Sequence, residues 1–120
     1  MYEIEIYEYS NGKSEIEKYF KELNKSRNKI HRIKLKKIRM YINLLAEYGL
    51  ELNEPYIKKI DKEIWELRPL KDRILFASIY NNKFILLSYF VKKTRKTPKS
   101  EIEKAKKLLK DYKKRSEEDE

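Results

Sequence analysis

The sequence predicts an α+β domain in which helices pack on an antiparallel sheet. Near the start of the chain, and again after residue 63, apolar and polar residues alternate as they do in β-strands. The segments between and after these strands carry apolar residues at helical spacing, and turn-forming residues separate the segments at short intervals. The predicted order of elements is β-α-α-β-β-β-α, with the helices covering one face of the sheet.

The first predicted strand is followed by two helices. Residues 2–8 alternate Glu with Ile and Tyr, which is typical of a half-buried strand. An Asn-Gly pair then ends the strand, and Ser14 with Glu17 matches a capping box at the start of a helix. A second, longer helix carries apolar residues three and four positions apart and ends before Gly49, a residue type common after helices. The two helices meet near residues 24–28 and form a helical hairpin.

Three more strands are predicted in the second half of the chain. Residues 64–68 alternate and are stopped by a proline, whereas residues 73–80 and 84–91 are rich in large apolar side chains. Asn81-Asn82 indicates a hairpin turn of a type that tolerates positive φ. Because the connections are short, the three strands are expected to form an antiparallel meander.

The last helix is expected to begin at Thr97-Pro98, with proline at the first helical position. Apolar residues at helical spacing then form one face of this helix. A chain of 120 residues has the size of one domain. We therefore expect residues 1–115 to form a single domain and residues 116–120 to be a charged, disordered tail.

The composition favours a polyanionic partner and disfavours several classes of protein. Lys and Arg number 30 against 20 Asp and Glu, a formal charge of +10 that attracts nucleic acid, an acidic protein or an acidic membrane surface. Cysteine is absent and His31 is the one histidine, which excludes thiolate and histidine-pair metal sites within one chain. No apolar run approaches the roughly 20 residues that span a bilayer, and the start lacks the order of a signal peptide. A cytoplasmic protein without metal, cofactor or membrane partner is expected.

The positive charge is concentrated in two segments. Residues 25–48 carry eight basic residues and one acidic residue, and so do residues 71–100. On the second helix such charge is typical of a solvated surface, with a phosphate-tracking stripe as the alternative. The second segment ends in a dense group of cations where an apolar strand meets a helix start, namely Lys92, Lys93, Arg95 and Lys96. Backbone N–H groups at that helix start would add to an anion site.

The second half of the chain also carries a family resemblance. Glu66-Leu67-Arg68-Pro69, then Arg73-Ile74-Leu75-Phe76, and finally the run from Lys92 to Pro98 resemble the phage-derived branch of the RelE/HigB toxins over residues 64–112. The resemblance implies a RelE-like, microbial-ribonuclease-type fold and an endoribonuclease (an mRNA interferase) that cuts mRNA, usually in the ribosomal A site. It also implies a cognate antitoxin, commonly a helix-turn-helix protein. Members of this branch often carry His at the position of Ser88.

Metal-independent RNA cleavage assigns tasks that basic side chains can perform. The 2′-hydroxyl attacks the adjacent phosphorus, so the protein must accept a proton, stabilise the phosphorane and protonate the leaving oxygen. Arg68 and Arg73 flank a short turn between adjacent strands and could converge on one sheet edge. Arginine suits stabilisation of the phosphorane because its fork holds two phosphate oxygens. Lys92 and Lys93 are the other candidate catalytic residues, and one of the clustered lysines could act as base if its neighbours lower its pKa.

The remaining predicted site residues would bind RNA. Lys96 and Arg95 are candidates for phosphate contacts, and Phe90, Tyr80 or Tyr89 for stacking on an unpaired base. The structural alternatives are core packing for the aromatic residues and an ion pair with Glu66 or Asp72 for Arg68. At the level of function, the alternatives are a non-catalytic RNA-binding module, a degenerate toxin, or a protein whose basic face meets an acidic partner.

Overall fold

The computed structural model of the chain describes residues 1–80 and 82–118. It confirms an α+β architecture of three α-helices and a five-stranded mixed sheet. The elements are β1 (Glu3–Ile6), α1 (Glu15–Lys25), α2 (Lys29–Tyr48), a 3-10 turn (Gly49–Leu52), β2 (Ile57–Lys59), β3 (Trp65–Leu67), β4 (Asp72–Ile79), β5 (Lys83–Val91) and α3 (Lys99–Glu118). Within the described ranges, no helix is long and apolar enough to cross a membrane.

The strands lie in the order β1-β5-β4-β3-β2. The predicted antiparallel meander is confirmed for β3, β4 and β5, and β2 extends it by one strand. The sequence analysis missed β2 because three residues, of which only Ile57 is apolar and buried, are too short to show a strand period. At the opposite edge, β1 pairs in parallel with β5, which the helical hairpin between them permits.

The prediction that helices cover one face of the sheet is wrong, because they cover both. Helices α1 and α2 pack on Ile74, Phe76 and the same side of β5, which we call the hairpin face. Helix α3 packs on the other side, the α3 face, where Leu75, Ala77 and Ile85 are buried. Both faces of β4 and β5 are therefore apolar, and this explains why these two strands read as continuous hydrophobic runs.

A β-bulge in β5 sets which side chains reach each face. Leu75 pairs with Ser88, whereas Phe76 pairs with Leu86, so Leu87 is an extra residue with no partner on β4. Regular alternation along β5 is interrupted at this point. From Ser88 onward, the side chains therefore lie on the opposite face from the one they would occupy in an unbroken strand.

The helix signals in the sequence correspond to local hydrogen bonds. Ser14 Oγ accepts from the Glu17 backbone N–H at 3.2 Å, as the capping box predicts. Asn28 caps α2 by accepting from the Ile30 N–H at 2.8 Å. Gly49 ends α2 at φ 61°, and a Cβ there would lie 2.5 Å from the ring of Tyr2, so glycine is required for both reasons.

Helix α3 begins at Lys99, directly after Pro98, and continues to Glu118. The predicted start is therefore correct to within two residues, but the expected disordered tail from residue 116 begins too early. Ser116 Oγ donates to the Tyr112 carbonyl at 3.0 Å, and Arg115 pairs with Asp111 at 2.9 Å, which extends the last turns. Residues 119–120 and Asn81 of the predicted hairpin turn lie outside the described residues.

Candidate functional site

An open pocket lies on the α3 face, between the ends of the meander strands and the start of α3. It encloses about 310 Å³. Its walls come from β2, β3, β4, β5 and the loop that leads into α3. The lining residues are Lys58, Lys59, Ile60, Glu66, Arg68, Arg73, Phe90, Lys92, Thr94, Arg95, Lys96, Thr97 and Ile102.

A buried carboxylate, Glu66, organises the floor of this pocket. Strand alternation places Glu66 on the opposite face from Trp65 and Leu67, and its exposed fraction is 2%. Oε1 lies 3.4 Å from Arg68 Nε and 3.7 Å from Arg73 Nε. Oε2 accepts a hydrogen bond of 2.5 Å from Thr97 Oγ1. One carboxylate thus connects two strands and the loop before α3.

Arg73 is the more deeply buried of the two arginines. Its Nη1 donates to the carbonyls of Leu70, at 2.9 Å, and Asp72, at 2.8 Å. Leu70 has φ 55°, a conformation uncommon for leucine, and the turn that contains it directs its carbonyl to Arg73. Burial, and then the nearby Arg68 cation, lower the pKa of Arg73 below its usual range.

Arg68 is more accessible to a ligand than Arg73. Its side chain is 23% exposed, against 8% for Arg73. Besides Glu66, it approaches Glu54 Oε1 at 3.7 Å. The predicted convergence of Arg68 and Arg73 is confirmed, and the predicted alternative of an Arg68–Glu66 ion pair is present as well.

Lysines and Arg95 surround the pocket opening. Lys92 is half-buried, whereas Arg95 and Lys96 are exposed. Thr94 Oγ1 donates to the Lys96 carbonyl at 2.9 Å and closes a tight turn in this loop. In the described part of the chain, none of these three cations has a carboxylate partner within 4.0 Å. Their charge is therefore available to an anion from outside the chain.

Six of the nine predicted site residues meet in this pocket: Arg68, Arg73, Phe90, Lys92, Arg95 and Lys96. Lys93 is exposed and does not line it. Tyr80 lies just beyond the far end of β4. It is seven residue steps from Arg73 along the strand, a distance of roughly 23 Å. Tyr89 lies on the hairpin face and stacks on Tyr19, with ring centroids 4.1 Å apart and an interplanar angle of 5°. The structure thus separates Lys93, Tyr80 and Tyr89 from the pocket.

Seven of the lining residues were not predicted as site residues, and four of these carry a charge or bind a charged side chain. Lys58 and Lys59 belong to the strand that the sequence analysis missed. Glu66 was named only as an ion-pair partner, although its shared face with Arg68 was a usable signal. Thr97 was read as a helix start, whereas its hydroxyl also holds Glu66.

Ser88 and His31 both lie outside the pocket lining. Ser88, at the position where the resembling branch often has His, is fully buried, and its Oγ has no hydrogen-bond partner among the described residues. His31 lies in the first turn of α2, with Nδ1 2.8 Å from Ser26 Oγ. Across residues 1–80 and 82–118, no three acidic or histidine side chains converge as metal ligands would.

A second buried carboxylate lies on the hairpin face. Asp72 is fully buried, accepts a hydrogen bond of 2.7 Å from Tyr19 OH and lies 3.4 Å from Lys34 Nζ. Burial and the Asp72 contact raise the pKa of Tyr19 well above its usual value of 10. Asp72 itself lines none of the described pockets. Its partners lie nearer the surface, because Tyr19 borders an open cleft beside Tyr89 and the Lys34 side chain is 21% exposed.

The chain matches one family model, described as phage-derived protein Gp49-like (DUF891), over residues 18–110. The matched segment contains every residue that lines the pocket. No curated protein shows a significant match to the chain.

Proposed function

Because the chain belongs to the phage-derived Gp49-like family, a toxin-like family associated with toxin–antitoxin systems, we propose that it is an RNA-cleaving toxin. In this proposal it is an endoribonuclease of the RelE/HigB type that cuts mRNA. The observation that carries the proposal is the pocket on the α3 face, where two arginines share one buried carboxylate beneath a ring of unpaired cations. Such a site favours a ligand with closely spaced phosphates.

The proposed reaction uses the RNA itself as nucleophile. The 2′-oxygen loses its proton to a base and bonds to the adjacent phosphorus, and the bond from phosphorus to the 5′-oxygen breaks. The departing 5′-oxygen takes up a proton, which leaves a 2′,3′-cyclic phosphate and a 5′-hydroxyl end. The protein must stabilise the negative charge that builds on the phosphorane between these two steps.

Arg68 is the best-placed group for that stabilisation. Its side chain is partly exposed, and the 3.4 Å separation from Glu66 Oε1 is longer than a good charge-assisted hydrogen bond. A phosphate can therefore compete with Glu66 for the Arg68 guanidinium. Arg73, held by two backbone carbonyls behind it, adds fixed positive charge to the same position. Glu66 positions both arginines.

The remaining pocket residues would hold the RNA strand. Lys92, Arg95 and Lys96 offer unpaired charges for phosphates on either side of the scissile bond. Lys58 and Lys59 extend this surface across β2. Phe90 is half-buried in the pocket wall and offers an aromatic surface to an unpaired base.

We also propose that cleavage depends on the ribosome. The accessible ionisable groups of the pocket are cations, and no described histidine stands beside them as base or acid. A site that depends mainly on charge stabilisation gains strongly when a scaffold orders the RNA for in-line attack. An mRNA held in the ribosomal A site meets that need. The proposed cognate antitoxin is a helix-turn-helix protein.

The alternative is a degenerate toxin that binds RNA without cutting it. Two observations favour it. Glu66 already engages both arginines, and a buried Ser88 stands where members of the resembling branch often have a histidine. In that case the cations would serve binding alone, and binding would weaken steeply with salt.

The two functions separate in a translation extract. The purified chain, an Arg68→Ala variant and a Lys107→Ala variant are added to a translated mRNA, and new 5′ ends are mapped. Lys107 is an exposed cation on α3 outside the pocket lining and serves as a matched control. We expect cuts inside the translated frame with the wild type and the control, and a loss of about 100-fold with Arg68→Ala.

The end chemistry and a ribosome-free reaction complete this test. The new 5′ ends should carry a hydroxyl, and the same RNA without ribosomes should be cut more slowly. Retention of RNA binding by folded wild-type chain without any new ends would replace the nuclease proposal with the binding module. Undiminished cutting by Arg68→Ala would move the catalytic site elsewhere.

A further inference from the structure

Helix α2 carries an apolar surface that the fold leaves uncovered. Four large side chains on it are between 42% and 71% exposed, and a fifth, Leu44, is half-buried but belongs to neither core cluster. We call this surface the outer stripe. It consists of Ile30, Ile33, Met40, Leu44 and Tyr48.

The outer stripe follows one side of the helix. Lys37 lies between Ile33 and Met40 on the same side of the helix. When Lys37 is counted, successive positions along the stripe are three or four residues apart. The buried residues Leu35 and Ile38 lie on a different side and face the sheet. From Ile30 to Tyr48 the stripe extends roughly 27 Å along the helix axis. A mainly apolar surface of this length, interrupted by Lys37, on a small, highly charged protein marks an interaction site.

A row of cations borders the outer stripe. Lys29, Arg32, Lys36 and Arg39 are all exposed, and at 100° per residue they lie beside the stripe on the side away from the core. In the described part of the chain, none of the four has an ion-pair partner. A partner suited to this surface is apolar where it covers the outer stripe and acidic where it meets the cation row.

We propose that this surface binds an acidic amphipathic helix of another protein. Its apolar side chains would cover the outer stripe, and its carboxylates would pair with the cation row. A second copy of this chain would bring like charges together along the row, which opposes self-association. RNA would use the cations but leave the apolar side chains without a contact.

The proposed surface is separate from the RNA pocket. Helix α2 packs on the hairpin face of the sheet, whereas the pocket opens on the α3 face. A helix on the outer stripe would therefore leave the pocket open. The inference stands on the exposed side chains of α2 and does not require the chain to cleave RNA.

A synthetic peptide tests the proposal with the full chain. The probe is a fluorescent 21-residue peptide with leucine at two positions of each heptad, glutamate at the flanking positions and alanine elsewhere. Its control has the same composition in scrambled order. Binding is measured by fluorescence anisotropy, and circular dichroism verifies that each protein variant is folded.

Three variants of the chain identify the surface. The first replaces apolar residues of the stripe (Ile30→Ser, Ile33→Ser, Met40→Ser), and the second reverses the cation row (Arg32→Glu, Lys36→Glu, Arg39→Glu). The third reverses three exposed cations of α3 as a matched control (Lys107→Glu, Lys110→Glu, Lys114→Glu). We expect the first two to weaken peptide binding by about tenfold or more and the third by less than about twofold.

Several results would overturn the proposal. Equal binding of the scrambled peptide, or equal loss with the α3 variant, would leave only general charge attraction. A dimer of the wild type that the serine variant dissociates would identify a second copy as the occupant. Loss of binding to a single-stranded RNA oligomer with the α2 charge variant, together with no binding of the acidic peptide, would make the surface an RNA contact.

Discussion

The two buried carboxylates of this protein, Asp72 and Glu66, differ in what covers them. Both are at most 2% exposed, and both belong to the meander. Asp72 faces the helical hairpin, where a tyrosine hydroxyl donates a hydrogen bond to it and one lysine balances its charge. Glu66 faces α3, where two arginines and a threonine contact it at the floor of an open pocket.

The difference separates stabilisation from ligand binding. The Asp72 cluster is packed between the sheet and two helices, and Asp72 lines no described pocket, so the cluster contributes to one packed arrangement. A cluster of similar burial beside an opening keeps one partner, Arg68, within reach of an anion. The cation beside each carboxylate is exposed to a similar extent, 21% for Lys34 and 23% for Arg68. Burial of a carboxylate therefore does not by itself mark a site, whereas a pocket that several cations line does.

The largest expected effect on stability comes from replacing Asp72, the carboxylate under the helical hairpin. Asp72→Asn removes the charge that Lys34 and Tyr19 share, so the free energy of unfolding should fall by about 3 kcal/mol. Urea denaturation measures this loss. Affinity for single-stranded RNA should stay within about twofold in the folded variant, since the cluster lies on the opposite face of the sheet from the RNA pocket. A parallel collapse of RNA affinity would show that the two faces are coupled.

Glu66→Gln is the matching change at the carboxylate on the pocket floor. The amide keeps the shape and can still accept from Thr97, but both arginines lose their counter-charge, so we expect a smaller loss of about 1–2 kcal/mol. RNA affinity should rise several-fold because the pocket gains one positive charge. Both quantities follow from urea denaturation and RNA titration. Unchanged or weaker RNA binding would mean that Glu66 does not compete with phosphate.

The exposed cations at the pocket opening, Arg95 and Lys96, are expected to affect RNA binding but not stability. The double variant Arg95→Ala, Lys96→Ala should weaken single-stranded RNA binding on the order of tenfold and reduce the log–log salt slope by about 1.4. Its unfolding free energy should stay within about 0.5 kcal/mol of the wild type. The exposed α3 pair Lys107→Ala, Lys110→Ala is the control. An equal change in slope for that pair would assign RNA binding to the net charge.

The smallest effect concerns an ion pair that connects helices on opposite sides of the sheet. Lys104 Nζ lies 2.9 Å from Glu15 Oε2 and lowers the pKa of Glu15 below its ordinary 4.5. Both side chains are more than 40% exposed, so the contribution is below about 1 kcal/mol. It is complete above pH 4.5 and is lost as the pH falls through the lowered folded-state pKa.

Urea denaturation of the wild type and Glu15→Gln from about pH 6 to pH 3 measures this contribution. The stability difference between the two proteins should shrink as the pH falls. A difference that stays constant over this range would show that the contact contributes through packing and not through charge.

Much of the architecture follows from local signals in the sequence. Ser14 and Asn28 cap the starts of helices, and Gly49 caps the end of one, through hydrogen bonds that involve only nearby residues. Such local signals suffice to place α1 and α2. Arg68 and Arg73 could be brought together because a short turn fixes the relation of β3 to β4. In each case the relevant distance is set within a few residues along the chain.

The features that escaped prediction depend on contacts distant in sequence. Strand β2 is defined by its pairing with β3, since three residues carry no usable period. The position of α3 on the second face depends on burial of both sides of β4, which an apolar run indicates only in outline. Tyr89 was predicted to bind RNA, but its stacking on Tyr19 depends on how α1 packs against β5.

The bulge at Leu87 has a consequence for how the length of β5 can vary. Because Leu87 is supernumerary, loss of one residue there restores plain alternation and leaves Tyr89 under the helical hairpin and Phe90 in the pocket wall. Loss of one residue elsewhere in β5, with the bulge kept, would move the side chains on one side of the deletion to the opposite face. Tolerated deletions in β5 should therefore cluster at the bulge. Alignments of relatives should place their gaps there before residues near Ser88 are compared.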